Sequence, residues 1–238
     1  MAIIAASTIT LMGIDDEIKD INIHQAVFFG ILRDSDTVER DLAALGLNPE
    51  KLSSLAGTTY YDSQGVFDPA GELMREEFFS KISYQKIIGY YLTHPLVFIE
   101  KMNVTANNAF TIVQEYVGNF QEGSGKLPNE NIYGIWSSLK LLFPNNLIFL
   151  LIVAALFLYV IFAGRKGKGH KEKLLTDLLL FIFFIAVFSF VMPYVADGDG
   201  DLSKHLFLFS LTFDMLFIAC ILWGCQKITD RCQKRMQS

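Results

Sequence analysis

Three long apolar stretches dominate the last third of this sequence. They are Leu147–Ala163, Leu178–Ala196 and Leu206–Gly224, and short polar segments separate them. Each stretch is close to the ~20 residues that an α-helix needs to cross a hydrocarbon layer of ~30 Å. The pattern therefore predicts three transmembrane helices, at residues 147–163, 178–196 and 206–224.

The charges that follow these stretches alternate in sign. The second stretch is followed by acids and one lysine, whereas basic side chains follow the first and the third. After the first come Arg165, Lys166, Lys168, Lys171 and Lys173, and after the third come Lys227, Arg231, Lys234 and Arg235. Short basic loops remain on the cytoplasmic side of a membrane. We therefore expect a multi-pass protein of the cell membrane, with residues 1–145 extracytoplasmic, three helices within 146–225 and a basic cytoplasmic tail at 226–238.

Helical spacing and capping residues also run through the segment before the first stretch. Asn48 followed by Pro49 is a helix start, and Ser83 can cap the helix that follows it. The predicted helices are Ile23–Leu32, Thr37–Leu45, Pro49 to near Gly57, Gly71–Ile82, Tyr84–Leu92, Leu96 to about Val113, and Ile132–Phe143 as an interfacial helix. Strand alternation is not evident, so the expected fold is an all-α membrane protein in which an extracytoplasmic helical domain precedes three transmembrane helices.

Composition changes this picture mainly through charge. Residues 1–145 hold 10 lysines and arginines against 18 acids, a net charge of −8, whereas residues 146–238 have a net charge of +3. An acidic head argues against nucleic acid as a partner, and basic loops suit membrane lipids with anionic headgroups. All three cysteines lie after residue 219, so the head has no disulfide.

The first residues do not resemble a strong export signal. Residues 2–14 lack a basic start, and polar residues interrupt their apolar run. We therefore expect the chain to be the C-terminal part of a longer membrane protein.

Asp214 is the most informative single residue, because it lies inside the third apolar stretch. A carboxylate at that depth costs at least ~2.5 kcal/mol unless it faces protein, a cavity or a cation. No other charged residue in these three stretches lies near the middle of the membrane. We expect Asp214 to pair with a group missing from this chain, on further helices or a partner subunit, or else to be protonated.

The loop between the second and third stretches offers two candidate sites. Asp197, Asp199 and Asp201 alternate with glycines, but Leu202 and Leu208 stand where an EF-hand needs Gly and Glu. The interpretations left open are a looser Ca²⁺, Mg²⁺ or Mn²⁺ site and a solvated acidic loop.

Two cations follow these aspartates at the mouth of the third helix. Lys204 and His205 could hold the phosphate of a lipid carrier, or they could be ordinary interfacial anchors. The sequence leaves both interpretations open.

A family resemblance covers the chain from about Asn22 to Trp223. The residues that carry it are Ala26–Ser35, Asp41–Leu47, Leu55–Thr58, Ile82–Tyr84, Tyr91–Pro95, Asn107–Ala109, Tyr116–Phe120, Trp136–Ser137, Lys204–Phe209 and Phe213–Met215. Together they resemble the C-terminal half of bacterial polytopic membrane hexose transferases of surface-glycan biosynthesis. The resemblance implies a polyprenyl-phosphate sugar as donor, a glycan acceptor, and an N-terminal membrane-helix portion or subunit that carries the catalytic acid. It assigns no catalytic residue to this sequence.

Three hypotheses about function follow. The first is the C-terminal portion of a membrane-embedded hexosyltransferase that lacks its catalytic N-terminal helices. The alternative is a non-enzymatic, membrane-anchored extracytoplasmic binding or scaffold protein. A third, a transport or channel component, rests on Asp214 alone.

Overall fold

The fold is all-helical in this computed structural model, which describes residues 16–62, 68, 70–111, 121, 123–125, 134–165 and 169–236. No strand occurs within those ranges, as the sequence predicts. The α-helices are α1 (Asp16–His24), α2 (Val38–Ala44), α3 (Pro49–Leu52), α4 (Glu72–Met74), α5 (Tyr84–Thr93), α6 (Pro95–Asn108), α7 (Gly134–Lys140), α8 (Leu147–Arg165), α9 (His170–Asp197), α10 (Leu202–His205) and α11 (Phe207–Met236). Gln25–Ile31 and Arg75–Phe79 are π-helical, and Ser53–Leu55 is a 3₁₀ turn.

Three helices, α8, α9 and α11, are long and apolar enough to cross a membrane. The sequence places them correctly, but α9 begins at His170 rather than at Leu178, and α11 continues to Met236. Their apolar stretches end where charged residues begin, whereas the helical backbone continues. The added turns are rich in Lys, Glu and Gln, which favour helix and are solvated outside the hydrocarbon.

The smaller helices follow the sequence signals with local differences. Asn48 caps α3, because its side chain accepts a hydrogen bond of 3.0 Å from the amide of Glu50. Ser83 stands at the cap position of α5 without a side-chain cap bond. Helix α6 ends at Asn108, short of the predicted end near Val113, which lies outside the described residues. The predicted start of α7 also lies outside them.

The chain divides into two compact units, each with residues from both sides of the predicted boundary at residue 145. The first unit is Met1–Met102 with Met192–Gly200, and the second is Asn103–Val191 with Asp201–Ser238. Each is described by itself below.

The core of the first unit centres on the π-helix Gln25–Ile31. Ala26, Val27 and Phe28 are fully buried there. Bonds of the π type, such as that from the amide of Leu32 to the carbonyl of Val27 (2.9 Å), skip carbonyls that an α-helix would use. Buried carbonyls need other partners. That of Phe28 accepts from the amide of Gly57 (2.8 Å).

The second unit is built on α8 and α11, which pack against each other. Aromatic side chains fill the contact: Phe157 and Phe213 have ring centroids 5.6 Å apart, and Phe209 meets Phe190 of α9 at 5.1 Å. Many apolar side chains on the outer faces of these helices are exposed, among them Leu151 and Ile152. Helices with apolar residues on all sides are typical of membrane spans.

Candidate functional site

A buried lysine pairs with the intramembrane aspartate. The Lys140 Nζ lies 3.0 Å from the Asp214 Oδ2 and 2.7 Å from the Ser210 Oγ. Ser210 and Asp214 are four residues apart on α11 and so share one helix face. Lys140 ends α7 and is 2% exposed, whereas the Asp214 side chain is 23% exposed.

The expectation that the partner of Asp214 is missing from this chain is therefore wrong. The partner lies 74 positions earlier in the sequence, in a short helix outside the three apolar stretches. A signal was available, because Lys140 interrupts the apolar run Leu139–Phe143. A lysine in such a run needs an acid or a path to water.

Phenylalanines adjoin both members of this ion pair in the sequence, because Phe213 precedes Asp214 and Phe143 follows Lys140 by three residues. Phe143 and Phe213 have centroids 6.2 Å apart, and Phe110 lies 5.0 Å from Phe213. Such an apolar setting strengthens the attraction between the charges and raises the cost of leaving either one alone. The second carboxylate oxygen of Asp214, Oδ1, is buried without a hydrogen-bond partner. The arrangement can fix α7 against α11 at one register.

Lys204 and His205 are exposed on α10, a four-residue helix just before α11. Buried Leu202 and Leu206 anchor this short helix. The side chain of Lys204 is 63% exposed, and its Nζ lies 3.9 Å from the carboxylate of Asp201. This geometry keeps the Lys204 ammonium open to solvent or to an anion, and the role of both residues stays a prediction.

The three loop aspartates do not gather into a metal site. Within the described ranges, no group of three or more His, Cys, Asp or Glu side chains could hold a metal ion. Asp199 instead pairs with Arg33, whose guanidinium also lies 4.4 Å from the centre of the Phe29 ring. Burial raises the pKa of Asp199, and the nearby Arg33 opposes that shift. Two of the three aspartates thus face a cation of the chain itself, Arg33 for Asp199 and Lys204 for Asp201.

The glycines of the loop have a structural explanation in the first unit. A Cβ on Gly198 would lie 2.6 Å from the Gln25 carbonyl oxygen and 2.8 Å from the Gly30 amide nitrogen. Gly198 also has a positive φ of 63°. Only glycine meets both demands without strain. The Asp-Gly repeat therefore lets the backbone after α9 touch the π-helix.

Two further buried polar side chains were not found from the sequence. Lys101 is 2% exposed, and its Nζ donates to the carbonyl of Arg33 at 2.7 Å. His24 is fully buried between Phe28, Tyr60 and Phe78, and both ring nitrogens lack a hydrogen-bond partner. Burial lowers its pKa from 6.5 to about 4. The burial of a lysine or a histidine cannot be predicted from a sequence unless its neighbours in space are known.

Comparison with known proteins gives one family. The family model described as the YfdI N-terminal transmembrane domain matches residues 1–238. No curated protein and no solved structure matches the chain. The description names an N-terminal domain, and it lends no support to the expected place in a C-terminal half. With three apolar helices and a match over its whole length, the chain belongs to the YfdI N-terminal transmembrane domain family and is a membrane protein of that type.

Proposed function

We propose that this chain forms a membrane portion of a hexosyltransferase of bacterial surface-glycan biosynthesis, with a polyprenyl-phosphate sugar as donor. The observation that carries the proposal is the exposure of Lys204 and His205 on α10, between two helices long enough to span a membrane. A lipid carrier keeps its phosphate at the membrane surface and its polyprenyl chain in the hydrocarbon. Cations at that level are well placed to bind the phosphate.

The chemistry asks little of these two residues beyond charge. The acceptor hydroxyl bonds to the sugar C1 while the bond from C1 to the phosphate oxygen breaks, and the polyprenyl phosphate leaves with the electron pair. A cation beside that oxygen stabilises the developing negative charge. We assign this role to Lys204, with His205 as a second donor. The base that takes the proton of the acceptor hydroxyl would come from the N-terminal membrane-helix portion or subunit that the resemblance implies.

A binding measurement tests the role of Lys204. The full chain in lipid nanodiscs should bind polyprenyl phosphate severalfold more weakly after Lys204→Gln. The matched control is Lys171→Gln, which removes another exposed lysine, in the first turn of α9. Equal loss in both variants, or equal binding of uncharged polyprenol, would contradict the proposal.

Membrane sidedness is part of the same proposal. The donor phosphate and the acidic head share the outer face if basic loops stay inside. In a background without the native cysteines, a cysteine at Glu39 should react with an impermeant maleimide from the medium of intact cells, and one at Lys171 should not. The reverse result would place Lys204 on the cytoplasmic side and exclude an outer-face donor.

One observation favours the alternative of a non-enzymatic, membrane-anchored binding or scaffold protein. The first unit has its own buried core, as a binding head requires. Complementation of a strain defective in surface-glycan synthesis separates the two hypotheses. The chain is expressed alone and together with the product of the gene immediately upstream. The transferase proposal predicts that Lys204→Gln reduces glycan modification at unchanged protein level. A scaffold would tolerate that change.

A further inference from the structure

Helix α11 supplies a depth scale for the second unit. Phe207 begins the helix, and Lys227 is the first basic residue after its apolar stretch. Lys227 lies over the ring of Trp223 at 5.7 Å, an arrangement typical of a membrane boundary. At 1.5 Å per residue, Phe217 lies about 15 Å from both Phe207 and Lys227. Phe217 is thus at the middle of the span, and Asp214 is about 10 Å from the Phe207 end.

The side chains of α7 contact α11 at these depths. Trp136 lies 5.2 Å from Phe217, and Lys140 bonds to Asp214. Moving back from Lys140 to Trp136 covers about 6 Å along α7, and moving from Asp214 to Phe217 covers about 4.5 Å along α11. These two distances are similar, so α7 runs from the middle of the span toward the end that Phe207 marks.

After α7 the chain turns and runs away from the Phe207 end. Leu147, the first residue of α8, donates its amide to the Asn103 side chain at 3.2 Å. From there α8 runs beside α11 in the same direction, because Phe157 meets Phe213 and Tyr159, two residues further on, meets Trp223. The segment 134–165 therefore rises from mid-span as α7 and crosses the span as α8.

The outward face of α7 is mainly apolar, although Ser138 on the same face is also exposed. Ile135 is 82% exposed and Leu142, just after the helix, is 77% exposed, with Leu139 between them at 44%. The charged Lys140 points the other way, into the protein. Charge inside and apolar groups outside is the arrangement expected in lipid, because an unpaired charge there is costly. The same kind of surface continues on α8 at Leu151.

From these contacts we infer that α7 is a re-entrant membrane helix, with lipid acyl chains against Ile135, Leu139 and Leu142. This differs from the interfacial helix that the sequence predicts for this region. It does not depend on the proposed transferase function, since it uses only contacts within the second unit.

Spin-label accessibility tests the inference on the full chain in liposomes. Cys220, Cys225 and Cys232 are first replaced by alanine, and single cysteines at Ile135, Leu139 and Leu142 are labelled in turn. Collision with oxygen reports lipid, and collision with a water-soluble nickel chelate reports water. Leu151 is the lipid reference, and Glu39 is the water-exposed reference.

The ratio of oxygen to nickel accessibility at these positions should match that at Leu151 and exceed that at Glu39 severalfold. It should also rise from Leu142 to Ile135, the deeper position. A ratio like that of Glu39 would overturn the inference in favour of an interfacial helix. If neither relaxation agent reaches the labels and dipolar broadening appears between them, a second copy of the chain covers this face. That result would also overturn the inference. Two exposed positions, Ile135 and Leu142, keep the test valid if one variant does not fold.

Discussion

Removing one member of the buried ion pair should destabilise the protein strongly. The Lys140 Nζ and the Asp214 Oδ2 are 3.0 Å apart. At an effective dielectric constant of 20, two unit charges at that distance attract each other by about 5.5 kcal/mol. Breaking a buried pair by removing one partner typically costs about 3–5 kcal/mol, because the remaining charge is left buried. We therefore expect Lys140→Met to cost a similar amount.

Either single variant leaves one charge without its partner. The expected loss is therefore about 3–5 kcal/mol for Lys140→Met, and Asp214→Asn, which leaves the ammonium instead, should cost a similar amount.

The double variant Lys140→Met with Asp214→Leu is the decisive comparison. It leaves no buried charge, and apolar replacement of a buried pair is often neutral. The double variant should therefore recover most of the stability that either single variant loses. Lys171→Met is the matched control, since Lys171 is exposed and should change stability little.

The assay is equilibrium unfolding in mixed micelles, followed by tryptophan fluorescence and by helical circular dichroism. Hydrogen bonds between membrane helices often contribute only about 0.6 kcal/mol. A loss below 1 kcal/mol for Lys140→Met would place this pair in that weak class and refute the reasoning. A double variant as unstable as the single variants would refute it as well.

Three further predictions concern the first unit. Because burial lowers the pKa of His24 from 6.5 to about 4, the unfolded chain binds that proton first, and stability should fall by up to about 3 kcal/mol as the pH drops through this window. His24→Phe should remove most of that slope in thermal unfolding at a series of pH values. Gly198→Ala should lower the free energy of unfolding by more than about 2 kcal/mol, because Gly198 has a positive φ and its added Cβ would lie 2.6 Å from a backbone oxygen. The control Gly89→Ala, at a position with open space in α5, should be neutral or stabilising. Asn48→Ala should lower the free energy of unfolding by about 1 kcal/mol, because it removes the cap on the Glu50 amide. Unchanged helicity outside α3 is the check.

The elements that sequence reasoning found are those set by local chemistry. Apolar length alone predicts α8, α9 and α11, because a span must satisfy its backbone internally over a fixed thickness. Asn48 with Pro49 predicts the start of α3, because both act within one helical turn. These signals need no knowledge of distant residues.

The features that it missed depend on contacts across the sequence. The Gly30–Gly198 approach joins segments more than 160 residues apart, and a local pattern could only suggest a metal loop or a solvated one. The Lys140–Asp214 pair spans 74 residues, so the acid looked unpartnered. The residues that contact a substrate are brought together by the same kind of contact between distant segments.

The Lys140–Asp214 pair suits a membrane protein for one physical reason. Lipid is as apolar as leucine, so the hydrophobic effect gives little preference for one helix arrangement over another. Specificity must then come from close packing and from polar pairs that have one good partner. In the second unit, Lys140 can satisfy its charge only where Ser210 and Asp214 present their oxygens, which selects one register of α7 on α11. A shift of α7 by one turn would move the ammonium about 5 Å along α11, away from both acceptors, and the cost of that lost pairing is what holds the arrangement.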